Sequence, residues 1–133
     1  MNEFQLQVTF KNQVVKFVDE LIEQFTNIPE FVLIRIFVKD KIPIDMVIGR
    51  FIKEVLPFRN EIFDKEEKFF LENDAIYNSL GGYKEEYVKA IKDLWTSDTL
   101  DEENREVIWQ WIHVLVRLAE KYKTNFGSPP GWE

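Results

Sequence analysis

His113 is the only histidine in the chain, and cysteine is absent, so few residues suit nucleophilic or soft-metal chemistry. A catalytic or metal-binding histidine needs an orienting carboxylate or further ligands within reach. The helical neighbours of His113 include no carboxylate: Trp109, Gln110, Val116 and Arg117. The Glu-x-x-His spacing of di-iron proteins would need an acid where Gln110 stands. We therefore predict no catalytic residue, no metal site and no cofactor.

The acidic residues form no recognisable ligand or catalytic pattern. In the run from Asp98 to Glu106, an EF-hand would need glycine at its sixth position and glutamate at its twelfth. The chain has Glu103 and Trp109 there. Neither a Gly-rich phosphate loop nor a Gly-x-Ser-x-Gly elbow is present. An enzyme with a carboxylate pair is kept as a third class, because nothing among the 24 acids singles out a pair.

The charge balance disfavours a nucleic-acid partner over the chain as a whole. Twenty-four acidic residues against 17 basic ones give a net charge of −7, which repels phosphates on average. Residues 35–59 nevertheless have a basic bias. As the alternative function we consider a nucleic-acid-associated module that uses Arg35, Lys39, Lys41, Arg50, Lys53 and Arg59.

The sequence contains no segment that predicts membrane insertion or secretion. Its longest apolar run, Phe31–Ile34, is broken by Arg35 and falls far short of the ~20 residues that span a bilayer. The first ten residues are mixed in character, unlike a signal peptide. We expect a cytoplasmic or otherwise intracellular protein with no membrane partner and no identified small-molecule substrate.

Hydrophobic periodicity predicts an all-α protein. Spacing of 3.6 residues indicates a first helix from Thr9, as its N-cap, to Phe25. Before it, Phe4, Leu6 and Val8 alternate with polar residues, which is typical of a short strand or an extended arm. Residues 29–39 are rich in β-branched and aromatic side chains, as in a buried strand, yet Pro29 and Glu30 suit a helix start. We favour a buried helix.

The remaining segments are also predicted to be helical. They cover residues 43–56, residues 58–73 with a break near Asp64, residues 84–96 after Gly81-Gly82, and a last helix that begins at a Thr99–Glu102 capping box. We predict a single compact bundle of about five or six helices over residues 1–123. Residues 124–133 are predicted to be a Gly/Pro-rich tail. The first and last helices should share one core.

The last helix is apolar on two sides. Trp109 and Trp111 are 200° apart on a helix, so one stripe cannot hold both. Either this helix is central to the fold, with Trp109 under the helix at 43–56 or at 84–96, or a partner covers it. In the second case the partner-binding residues are Trp109, His113, Val116 and, in the tail, Trp132.

The C-terminal half resembles small helical proteins of nucleocytoplasmic large DNA viruses. In that pattern a leucine-tryptophan pair, a short turn, an acidic helix start and an isoleucine-tryptophan pair follow one another. Here the pattern corresponds to Lys92-Asp93-Leu94-Trp95, Ser97-Asp98-Thr99-Leu100, Glu106-Val107-Ile108-Trp109-Gln110-Trp111-Ile112 and Leu118-Ala119-Glu120-Lys121-Tyr122. The first helix is similar in style at Phe17-Val18-Asp19-Glu20-Leu21 and Phe25. The resemblance carries no catalytic motif. It implies a viral origin, a virion or assembly role, and a location in the host cell or virion.

Our expectation from the sequence is a non-enzymatic helical interaction or structural protein. It would act through protein–protein contacts, with a protein partner or by self-association.

Overall fold

A computed structural model describes residues 1–66, 85–97 and 100–128. These residues contain six α-helices and no strand: α1 (Glu3–Gln24), α2 (Glu30–Ile36), α3 (Ile44–Glu54), α4 (Arg59–Phe63), α5 (Glu85–Thr96) and α6 (Glu102–Phe126). A π-helix (Phe37–Lys41) continues α2, and a 3₁₀ turn (Leu56–Phe58) precedes α4. The predicted all-α class is confirmed.

α1 begins well before the predicted start. The Asn2 side chain accepts a hydrogen bond from the Gln5 backbone N–H at 2.8 Å, and the Gln5 side-chain oxygen accepts one from the Asn2 N–H at 3.0 Å. This reciprocal capping box satisfies two amide groups that a helix start leaves unpaired. The predicted N-cap at Thr9 is therefore wrong. The strand or extended arm predicted at residues 4–8 is also wrong, because these residues are helical.

Residues 30–41 are helical throughout, so the helix that we favoured over a strand is confirmed. Their buried side chains, Phe31, Ile34 and Val38, recur at three- and four-residue intervals. The π-helix lies against α1, where the Lys11 ammonium donates to the Lys39 carbonyl oxygen at 2.7 Å.

The break predicted near Asp64 is confirmed, since α4 ends at Phe63. The chain turns there through Lys65, whose φ of 55° is left-handed. The Lys65 ammonium binds Glu106 of α6 at 2.6 Å. The rest of the predicted helix, residues 67–73, and the Gly81-Gly82 break lie outside the described residues. The predicted helix at residues 84–96 corresponds to α5.

α6 is capped by Asp101, whose carboxylate accepts from the Asn104 N–H at 2.8 Å. The predicted Thr99–Glu102 capping box is therefore wrong as the helix start, and Thr99 itself lies outside the described residues. At the other end, α6 continues through Phe126, and Gly127 with φ 73° ends it. The predicted boundary at residue 123 thus falls inside α6.

The core forms where α1 meets α2, α3 and α6. α1 and α6 run antiparallel: Gln7 contacts Tyr122 near one end, and the Phe17 ring stacks on Trp111 at 5.8 Å nearer the other. The prediction that the first and last helices share a core is confirmed. The most deeply buried part of α6 comprises Leu115, Val116, Ala119 and Tyr122.

Candidate interaction surfaces

Trp109 is buried among the described helices. Its side chain is 3% exposed, and its ring contacts the Trp95 ring of α5 edge-on, with 5.5 Å between the centroids. This is the placement under the helix at 84–96 that the sequence left open as an alternative. Trp109 consequently offers almost no surface to a partner.

Val116 and His113 also face other helices. Val116 is fully buried. The half-buried His113 has its Nε2 atom 3.0 Å from the Ile62 carbonyl oxygen of α4, and its ring centroid is 5.2 Å from that of Phe63. Because a carbonyl oxygen only accepts hydrogen bonds, Nε2 must carry the hydrogen. His113 therefore links α6 to α4.

These contacts explain why α6 is apolar on two sides. One side packs on α1 through Trp111, whose indole N–H also donates to Glu20 at 3.4 Å. The opposite side packs on α5 through Trp109 and on α4 through His113. Neighbouring helices cover both stripes. Trp132, the fourth predicted contact residue, lies outside the described residues.

The six basic residues of the nucleic-acid alternative lie on four elements. Arg35 on α2 forms an ion pair with Asp19, and Arg50 on α3 lies 3.2 Å from a Glu54 oxygen. Arg59 on α4 donates to the Leu56 carbonyl oxygen at 3.4 Å. Arg59 is exposed, and so are Lys39 and Lys41 on the π-helix and Lys53 on α3. Carboxylates thus offset the charges of Arg35 and Arg50.

A surface that the sequence analysis did not identify lies on α2. Val32, Leu33 and Ile36 are 45%, 48% and 43% exposed. They share one side of the helix, opposite Phe31 and Ile34, and we call them the α2 apolar face. The same three- and four-residue periodicity could have revealed it, because it divides the apolar run at 31–38 into a buried side and an exposed side.

The described residues contain no candidate metal centre. Within the ranges 1–66, 85–97 and 100–128, no three His, Asp or Glu side chains are placed to hold a metal ion. None of the described helices is both long enough and apolar enough to cross a membrane.

A polar network, with Gln7 and Tyr122 buried and Glu3 exposed, joins the ends of α1 and α6. The Tyr122 hydroxyl donates to a Glu3 carboxylate oxygen at 2.6 Å and accepts from the Gln7 side-chain amide at 3.1 Å. Burial raises the pKa of Tyr122, and the hydrogen bond to Glu3 raises it further, while the bond from Gln7 lowers it. Because the three side chains bond to one another across two helices, the network supports the fold.

The raised Tyr122 pKa predicts a loss of stability in alkali. Below pH 10.0, the ordinary tyrosine pKa, both folded and unfolded chains keep the phenol proton, and the network is intact. Above that pH the unfolded chain loses the proton more readily, so stability falls as the pH rises through the folded-state pKa. Urea unfolding across this range should show the fall. Tyr122→Phe should flatten it and should cost about 1–3 kcal/mol at neutral pH, because the buried Gln7 amide loses its acceptor. An unchanged alkaline slope in Tyr122→Phe would contradict the assignment.

Comparison with known proteins gives no relative: no protein-family model, no curated protein and no solved structure matches the chain.

Proposed function

We propose that this protein is a non-enzymatic helical interaction or structural protein that acts through protein–protein contacts. Its contact surface is the α2 apolar face. The observation that carries the proposal is the exposure of Val32, Leu33 and Ile36 on one side of a helix of seven residues. Clustered apolar side chains in contact with water cost free energy, and such clusters often mark sites that a partner covers.

The α2 apolar face rests on a well-anchored element. On its inner side Phe31 and Ile34 are buried at 1% and 2% exposure. Arg35 forms the ion pair with Asp19 of α1, and the π-helix that follows is bonded to Lys11. A surface held in place before binding loses little conformational entropy when a partner docks, which favours affinity from a small contact.

The other candidate functions have less support. The basic residues of the nucleic-acid alternative are dispersed over four elements, and two of them face carboxylates. For an enzyme, the one histidine uses Nε2 for the Ile62 carbonyl. The setting we propose, a virion or its assembly, rests only on the residue pattern between Lys92 and Tyr122. Trp132 remains a second predicted contact, and a compact helical bundle remains the proposed arrangement.

Leu33→Asp tests the proposal most directly. The substitution places a charge in the centre of the α2 apolar face but should leave folding intact, because Leu33 is 48% exposed. We expect association to weaken about tenfold or more, the effect of losing an interface hot spot. Sedimentation at two concentrations measures binding to a second copy, and crosslinking in the native source measures binding to another protein.

Val114→Asp is the matched control for Leu33→Asp. Val114 is 39% exposed and lies on a different helix, α6. The Val114→Asp variant should associate as the wild type does. If Leu33→Asp and Val114→Asp both associate like the wild type in sedimentation and in crosslinking, the α2 apolar face is not the contact surface.

A further inference from the structure

A small cavity lies in the core where α1, α2, α5 and α6 meet, away from the α2 apolar face. Its volume is about 50 Å³, and its described lining consists of aliphatic and aromatic side chains only. Val14 and Val18 of α1 line it one turn apart, with Ile34 of α2 and Ile112 of α6 among the side chains around them. These four residues are all buried.

The chemistry of the lining determines what can occupy this space. A buried water needs two to four polar partners, and among the lining side chains only the Trp95 indole N–H is polar, so water is a poor occupant. The volume of the cavity limits the size of the molecule that can occupy it. This volume is several times the ~10–15 Å³ of cavity volume that one water molecule needs, and about a third of the ~150 Å³ cavity known to bind benzene in another protein.

We infer that the cavity beside Val14 and Val18 is a binding site for a very small apolar molecule. Its guest is a single large atom such as xenon or a two-carbon hydrocarbon, and it excludes benzene. Binding is driven by dispersion contacts with the lining and by the transfer of the guest out of water, and it involves no directional bond. The inference is independent of the proposed function, since Val14 and Val18 lie in the interior while the α2 apolar face lies outside.

Methyl NMR of the full chain under xenon pressure tests this assignment. Saturable shifts are expected at the methyl groups of Val14, Val18, Ile34 and Ile112, and benzene should produce none of them. Val18→Ile adds one methylene to the cavity and should lower xenon affinity about tenfold or more. Val14→Ile is the second variant, in case the first is poorly folded.

Val32→Ile makes the same chemical change on the exposed side of α2 and should bind xenon as the wild type does. Three results would overturn the site: shifts that do not saturate, shifts that Val18→Ile and Val14→Ile leave unchanged, or benzene binding at the same methyl groups.

Discussion

Replacing Trp109 by glutamate is expected to unfold the protein. The Trp109 ring is 3% exposed and packs edge-on against Trp95, so its removal alone should cost about 3–5 kcal/mol. The introduced carboxylate adds the cost of taking a charge out of water, which is several kcal/mol. Together these costs are comparable to the ~5–15 kcal/mol that stabilises a domain.

Circular dichroism and sedimentation of Trp109→Glu measure the effect. Val114→Glu is the matched control on the same helix, and because Val114 is 39% exposed it should keep its helical signal and its melting temperature within a few degrees. A Trp109→Glu variant that stays folded and loses only self-association would restore the partner surface predicted from the sequence. A Trp109→Glu variant that stays folded and keeps the sedimentation mass of the wild type would place Trp109 outside both the core and an interface.

Local periodicity located the helices but left the surroundings of Trp109 open. It placed Trp109 on a second apolar stripe of the last helix and could not say what covers that stripe. The answer depends on Trp95, which is fourteen positions earlier in the chain and on another helix. No local pattern encodes a contact between two helices, because the pattern specifies only which side of each helix avoids water.

The errors at the helix starts have a different cause. Thr9 is a good N-cap residue by type, but the helix continues through it because Asn2 and Gln5 form a reciprocal cap farther upstream. The alternation of Phe4, Leu6 and Val8 favoured an extended chain, yet on α1 only Leu6 of the three is fully buried. Likewise, the apolar composition of α2 suggested a buried helix, whereas three of its five apolar side chains form the α2 apolar face.

The site was accordingly less predictable than the fold. The predicted contact residues of α6 are the apolar side chains that a central helix needs, and Trp109 and Val116 are buried. Burial and partner binding select the same residue types, aromatic and aliphatic, so composition alone does not separate a core stripe from an interface. Periodicity divides the side chains of α2 between two sides, and the burial of Phe31 and Ile34 determines which side is the exposed α2 apolar face.

Leu115→Ala is expected to have the second largest effect, a loss of about 2–5 kcal/mol in the free energy of unfolding. Leu115 is fully buried on α6, next to Val116 and one turn from Ala119, both also fully buried. Leu21→Ala, which the sequence alone would place in the same range, should cost less because Leu21 is only partly buried.

Leu33→Ala is the matched control for Leu115→Ala, since it removes the same atoms from a side chain that is 48% exposed. Its expected cost is within ~0.5 kcal/mol of zero. Urea unfolding followed by circular dichroism measures all three variants on one scale. Equal losses for Leu115→Ala and Leu33→Ala would mean that α2 is covered as completely as α6. That result would remove the basis for the α2 apolar face as a contact surface. A large loss at Leu115 with none at Leu33 would leave that face free for a partner, because its apolar side chains would then add nothing to folding.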